Sequence, residues 1–282
     1  MPNAATRVQA LKVASDGTVT RHERAVPVEM PVAFVYNGTT YAVMMASPTD
    51  LEAFALGFSL TEGIVASRAE ISSLEIVEHG PGIELQMWVD EARARRLAER
   101  RRHLAGPTGC GLCGIESLTE AVPDVAHVRD AGRYTPTEVM DATSALAPMQ
   151  ALNRETRAVH AAAYWTRDQG IVALAEDVGR HNALDKLVGK IASRGLDAAS
   201  GLVLLTSRVS VEMVQKAAKA GAPVIVAVSA PTDLAIRTAE AAGITMLAVA
   251  RQDGFEVFTH PHRLGLDRIG EPARIMVAVN AA

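Results

Sequence analysis

Leu202-Val203-Leu204-Leu205-Thr206, Pro223-Val224-Ile225-Val226-Ala227-Val228 and Ile244-Thr245-Met246-Leu247-Ala248-Val249-Ala250 are short apolar runs. Two amphipathic stretches, 209–220 and 232–242, separate them, and Gly221 and Gly243 end those stretches. A strand with one wet face alternates in polarity. These runs do not, so both faces should be covered, as in a parallel sheet with βαβ crossovers. Right-handed crossovers carry the strand-to-helix loops to one edge. Thr206-Ser207-Arg208, Ser229-Ala230-Pro231-Thr232-Asp233 and Arg251-Gln252-Asp253-Gly254 are therefore expected to gather. Helix N-termini attract phosphate, and these loops add hydroxyls, two arginines and acids. A nucleotide site and ordinary helix capping both fit that pattern.

Working outward, residues 158–165 and 171–175 flank Arg167-Asp168-Gln169-Gly170 and read as a hairpin. Residues 180–193 and 136–152 read as helices, and 123–135 as loop. In the first half, residues 31–36 and 40–45 flank Asn37-Gly38, a pair that tolerates positive φ and so marks a second hairpin. A helix over 51–60 starts after Ser47-Pro48-Thr49-Asp50 and stops at Gly63. Strands are expected over 71–77 and 83–89, and an arginine-rich helix over 91–103. Residues 1–30 are weakly patterned. We divide the chain into an extension (1–25), an α+β part (26–135) and an α/β domain (136–282).

Of the 282 residues, 49% are hydrophobic and 21% charged, enough apolar matter for a sizeable core and against global disorder. A net charge of -4 argues against bulk attraction to nucleic acid or anionic membrane, and 4% aromatics against a stacking platform for single strands. No apolar run approaches the ~20 residues of a membrane span, and the N-terminus has no signal-peptide pattern. A soluble, cytoplasmic protein is expected.

Both cysteines lie in Gly109-Cys110-Gly111-Leu112-Cys113-Gly114. Structural cysteines are usually scattered. Here glycines leave the sulfurs uncrowded, and Arg100, Arg101 and Arg102 lie just upstream, which favours reactive thiolate. Three roles fit: a zinc site completed by a histidine such as His160, a dithiol redox pair, or a persulfide carrier. The same six residues match G-x-G-x-x-G, but no strand precedes them, so a dinucleotide fingerprint is not supported. His160 sits within an apolar run and reads as a core residue or a ligand. Glu176-Asp177-Val178-Gly179-Arg180-His181-Asn182-Ala183-Leu184-Asp185-Lys186 is denser in polar groups. Asp177 is expected to cap the following helix, with Arg180 and His181 in a first turn able to meet an anion.

These motifs resemble the formate dehydrogenase accessory sulfurtransferase family, FdhD. The likeness runs from about Val28 to Leu264 and includes Leu56-Gly57-Phe58, Thr61-Glu62-Gly63, the Cys110–Gly114 loop and Val159-His160-Ala161-Ala162. It continues through the 176–183 motif, Arg208-Val209-Ser210-Val211-Glu212, Ala227-Val228-Ser229-Ala230-Pro231-Thr232 and Thr259-His260-Pro261. Thr206-Ser207-Arg208 stands where the family has Ser-Gly-Arg. The resemblance implies a cytidine-deaminase-like later part, a homodimer, and a sulfurtransferase. Such a protein takes sulfur from a cysteine desulfurase and passes it to the molybdenum cofactor in its bis(molybdopterin guanine dinucleotide) form, for formate dehydrogenase. Cys110 would carry the persulfide and Cys113 would assist. Val249, Ala250, Arg251, Gln252, Asp253 and Gly254 would hold the cofactor as bound substrate. Arg208, Ser229, Thr232, Asp233, His160, Arg180 and His181 are the further candidates, and no permanent cofactor is expected. A zinc-dependent protein and a non-catalytic cofactor chaperone are the competing readings.

Overall fold

The computed structural model describes residues 3–103 and 125–266. Three runs of the C-terminal half become β9 (Leu202–Leu205), β10 (Val224–Ala227) and β11 (Thr245–Arg251), paired in parallel as their composition requires. They belong to a six-stranded sheet in the order β12-β11-β10-β9-β7-β8. The additional strands are the expected hairpin, β7 (His160–Thr166) and β8 (Gly170–Asp177), and the edge strand β12 (Gly254–Val257). Strand β7 is antiparallel to both β8 and β9, so β8 runs parallel to β9.

Three crossovers, β8 to β9, β9 to β10 and β10 to β11, all progress one way across the sheet. Right-handed connections therefore leave α5 (Arg180–Ser193), α6 (Val211–Lys219) and α7 (Asp233–Ala242) on one face. Leu184, Leu187, Met213, Val214 and Ala239 fill the core on that side. The other face is covered by α3 (Pro136–Met149), through Val139, Ala142 and Leu146 against Leu204, Val226 and Leu247. The expected helix over 136–152 instead breaks at Gln150, two residues after Pro148, and a short helix α4 (Ala151–Thr156) follows. Residues 125–135 run along this same half, with Val128 N–H on Ala242 O and Tyr134 N–H on Arg263 O, both 2.8–2.9 Å.

The N-terminal half holds a four-stranded sheet, β4-β3-β6-β5, built from β3 (Met30–Tyr36), β4 (Thr39–Ala46), β5 (Ser73–His79) and β6 (Gly82–Trp88). Asn37 and Gly38 both have positive φ, 48° and 76°, as a tight two-residue hairpin demands. Helix α1 (Leu51–Thr61) covers this sheet; Phe58 stacks on Phe34 at 3.9 Å and Phe54 meets it edge-on at 4.9 Å. Helix α2 (Glu91–His103) follows β6, as the arginine-rich pattern predicts. Residues expected to lack pattern form a two-stranded ribbon, β1 (Ala5–Val13) with β2 (Val19–Pro27), which packs on α4.

The halves meet where α1 crosses α5 backbone to backbone. A Cβ on Gly57 would overlap the Asp185 carbonyl, and one on Gly189 would overlap that of Ala53. Two polar clusters stitch the same seam. Lys186 Nζ lies 2.6 Å from Asp177 Oδ2, with both side chains fully buried, and donates to Ser47 O at 2.8 Å. Asp177 also accepts from Ser47 N–H and Asn182 Nδ2, and Asn182 donates to Met45 O. Asp177 therefore does not cap α5, whose N-cap is Gly179 without a side-chain bond. Lys186 is the stronger claim on its carboxylate. In the second cluster Lys216 Nζ meets Asp185 at 2.9 and 3.0 Å, Thr61 Oγ1 at 3.0 Å and Glu62 at 3.4 Å.

Candidate active site at the carboxyl edge of the sheet

The strand-to-helix loops gather as the crossover argument requires. Thr206 N–H donates to Ala161 O at 3.1 Å, and its Oγ1 accepts from Ala161 N–H at 2.8 Å. Val209 and Thr232 bind across the next gap, with Val209 N–H on Ala230 O (3.3 Å) and Thr232 N–H on Val209 O (3.0 Å). Val249 N–H reaches Ser229 O at 3.3 Å. The loops after β9 and β10 and the last residues of β11 are thereby tied into one ledge. The first turn of α5, following β8, stands on the same edge.

The candidate residues do not converge on a point. Arg180 follows β8 and Arg251 ends β11, four strand spacings apart, which at ~4.8 Å each is about 20 Å. That is the reach of an extended ligand rather than of one reacting atom. The side chain of Arg208 is exposed and has no partner among the described residues, while its carbonyl accepts from Ser207 Oγ at 2.9 Å. Arg251 donates to the carbonyls of Val228 and Ala250 and so braces the ledge. Thr232 Oγ1 accepts from Ala235 N–H and caps α7, while Asp233 pairs with Arg237 in solvent. Capping thus accounts for those two side chains.

Residues 249–254 divide. Ala250 is buried in the core beneath the sheet, whereas Gln252 and Asp253 form the exposed turn into β12. Between Ala248 and Arg251 the β11–β12 register shifts, and Val249 takes φ 53°. A β-branched residue in the left-handed region is costly and persists only where its surroundings hold it, a pattern that clusters at ligand sites.

The other end of the ledge is polar and unsatisfied. Arg180 Nε and His181 Nε2 on α5, and Ser210 Oγ, Glu212 Oε2 and Gln215 Nε2 at the start of α6, are buried atoms without a hydrogen-bond partner among the described residues. Buried polar groups are rarely left so. Burial first, then the charges of Arg180 and Lys216, push the His181 pKa down to about 4, so the ring is neutral at pH 7. His160 is also held below its ordinary value, by burial and then by Arg180. It lines a cavity of about 320 Å³ together with Gln150, Asn153, Thr143, Leu146, Thr206 and Val228.

Sequence reading picked out Arg180, His181 and His160, gave no site role to Ser210, Glu212 and Gln215 although the family motif includes them, and missed Gln150 and Asn153. These are ordinary polar residues in or beside helical pattern, and the helix expected over 136–152 ran through Gln150, which the structure places at a break. Cys110 and Cys113 lie outside the described residues.

The profile of the FdhD/NarQ family matches residues 27–265. A protein of Agrobacterium fabrum named sulfur carrier protein FdhD is 54% identical over 252 residues, covering 88% of this chain and 92% of its own. One of the same name from Brucella abortus is 51% identical, covering 86% and 90%. A crystal structure from Desulfotalea psychrophila, assigned to a formate dehydrogenase accessory protein, superposes with a TM-score of 0.73 at 25% identity, over 93% of this chain and all of that one. On this footing the chain, matched from the start of β3 through the ledge, belongs to the FdhD/NarQ family.

Proposed function

We propose that this protein carries sulfur for the maturation of a formate dehydrogenase, on Cys110, and that its ledge receives the molybdenum cofactor as substrate. The supporting observation is the row of buried polar atoms at the starts of α5 and α6 that have no partner among the described residues, beside two helix N-termini and Arg208, in a chain about half identical to proteins named sulfur carriers. Such a row suits a ligand with several charged and hydrogen-bonding groups, and the length of the ledge suits an extended one such as a guanine dinucleotide form of the cofactor.

The chemistry balances with thiols alone. Cys110 thiolate attacks the terminal sulfur of a cysteine desulfurase persulfide, and the donor cysteine leaves as thiolate. Cys110 then holds the persulfide. Cys113 attacks Cys110 Sγ, forms a disulfide and expels the carried atom as hydrosulfide. The thiol pair supplies the two electrons, and an external dithiol resets it. Arg180, Arg208, Ser229, His160 and His181 bind and orient the substrate, and Val249 to Gly254 form the far wall. The protein works in the cytoplasm as a homodimer.

Intact mass spectrometry after incubation with a cysteine desulfurase and cysteine tests the carrier. One added sulfur on the wild type, lost in Cys110→Ala, is expected. No adduct, or one unchanged in Cys110→Ala, rejects the reading.

A further inference from the structure

We propose that helix α2 is the docking surface for the protein that delivers sulfur, and that an acidic face of this donor lies against Arg95 and Arg96. This rests on the reading above that Cys110 accepts sulfur from a cysteine desulfurase persulfide, and adds the surface that brings the two proteins together.

Charge is unevenly distributed along the chain. Helix α2 holds six arginines and two glutamates in 13 residues, a net of +4, whereas the whole chain carries -4, so the remaining residues sum to -8. The helix is held to the N-terminal sheet by a narrow stripe, Ala94 and Leu97, which pack half-buried against its core. Arg93 is committed beside them, 2.6 Å from Glu70 and paired with Asp90. Arg95 and Arg96 are exposed and make no hydrogen bond or ion pair among the described residues. The helix dipole favours cations in the last turn, where Arg100, Arg101 and Arg102 fall, but it fades within that turn and does not account for two bare arginines in mid-helix. Unpaired guanidinium groups are open to carboxylates, which they take in a two-pronged fork.

Position narrows the partner. Helix α2 ends at His103, seven residues before Cys110. Seven residues span at most about 25 Å, so a protein seated on α2 has its surface within reach of the thiol. A donor that hands over a protein-bound persulfide must hold its own cysteine at Cys110 during the attack. A positive helix next to that thiol steers an acidic protein toward it and fixes the register of the encounter. Nucleic acid would also answer the charge, but it brings no sulfur, and the helix has no aromatic residue on which a base could stack.

Timed intact-mass measurements give the rate at which the full chain gains one sulfur from a cysteine desulfurase and cysteine. Arg95→Glu combined with Arg96→Glu should slow loading at least about tenfold in about 50 mM salt. The gap should close to within about twofold near 1 M salt, where the screening length is about 3 Å. The same charge change on the ribbon, Lys12→Glu with Arg21→Glu, should leave the rate within about twofold of the wild type. Cysteine persulfide, a small donor that needs no docking surface, should load the α2 variant as fast as the wild type, and GDP should bind both equally. Wild-type loading of the α2 variant by the desulfurase, or equal slowing in the ribbon variant, overturns the docking surface and leaves the carrier reading standing. Equal slowing with cysteine persulfide overturns it by giving the arginines a part in thiol reactivity. Lost GDP binding overturns it in favour of cofactor phosphate, and an arginine-dependent DNA oligonucleotide complex with unchanged loading does so in favour of nucleic acid. A wild type that takes no sulfur from the desulfurase ends the carrier reading and the docking surface with it.

Discussion

The seam between the halves and the ledge at the carboxyl edge draw on the same eleven-residue motif, Glu176 to Lys186, with opposite results. In the seam, Asp177, Asn182, Asp185 and Lys186 are buried and paired with groups from β4, the turn between β4 and α1, the end of α1 or α6. At the ledge, Arg180 and His181, within the same helix, each keep a buried atom without a partner among the described residues. Residue type does not separate the two sets, since both contain charges. Saturation does: a polar group that is fully answered by protein holds the fold, and one left open by a well-packed scaffold is available to a ligand.

Breaking the seam should have the largest effect. Lys186→Met leaves Asp177 buried and unpaired, and should cost about 3–5 kcal/mol, read as a fall in the urea midpoint at constant slope. Adding Asp177→Asn should recover part of it. Burial already pulls the Lys186 pKa below the ordinary lysine value against the attraction of Asp177, so the neutral side chain is the better tolerated. Gly57→Ala forces α1 off α5 and should cost about 2–3 kcal/mol. An unchanged midpoint in either variant would mean that the seam does not hold the halves together.

A smaller effect sharpens the same contrast through pH. The unfolded His181 takes a proton near pH 6.5, the folded one only near pH 4. Between those values the unfolded chain binds more protons, so stability should decline as pH falls from 6.5 to 4. The ring is partly exposed, which limits the loss to about 1–2 kcal/mol. His181→Gln should flatten that slope, and a slope identical to the wild type would remove His181 from the account. At the ledge itself, Arg208→Ala should change stability by less than about 0.5 kcal/mol, with its effect confined to ligand affinity.

The C-terminal sheet was legible because β9, β10 and β11 are buried on both faces, which leaves a uniform apolar signature. The hairpin at Asn37-Gly38 was legible because its turn chemistry is local. The β1–β2 ribbon was not. It lacks a buried face, and Val8, Leu11, Val13 and Val19 stay exposed, so it has no period-two contrast to read. The candidate site was half legible. Arg180, His181 and His160 stood out in a dense or unusual setting, whereas Gln150 is a common helix residue whose meaning comes from a break.

The sequence by itself determined the parallel strands, their crossovers and hence the edge on which the loops would meet, because burial pattern and chain handedness are local properties with global consequences. Tertiary structure alone decided which charges of the 176–186 motif would be neutralised and which left open. Pairing depends on residues more than a hundred positions away, such as Ser47 on Asp177 and Thr61 on Asp185, and no local pattern encodes a partner at that distance.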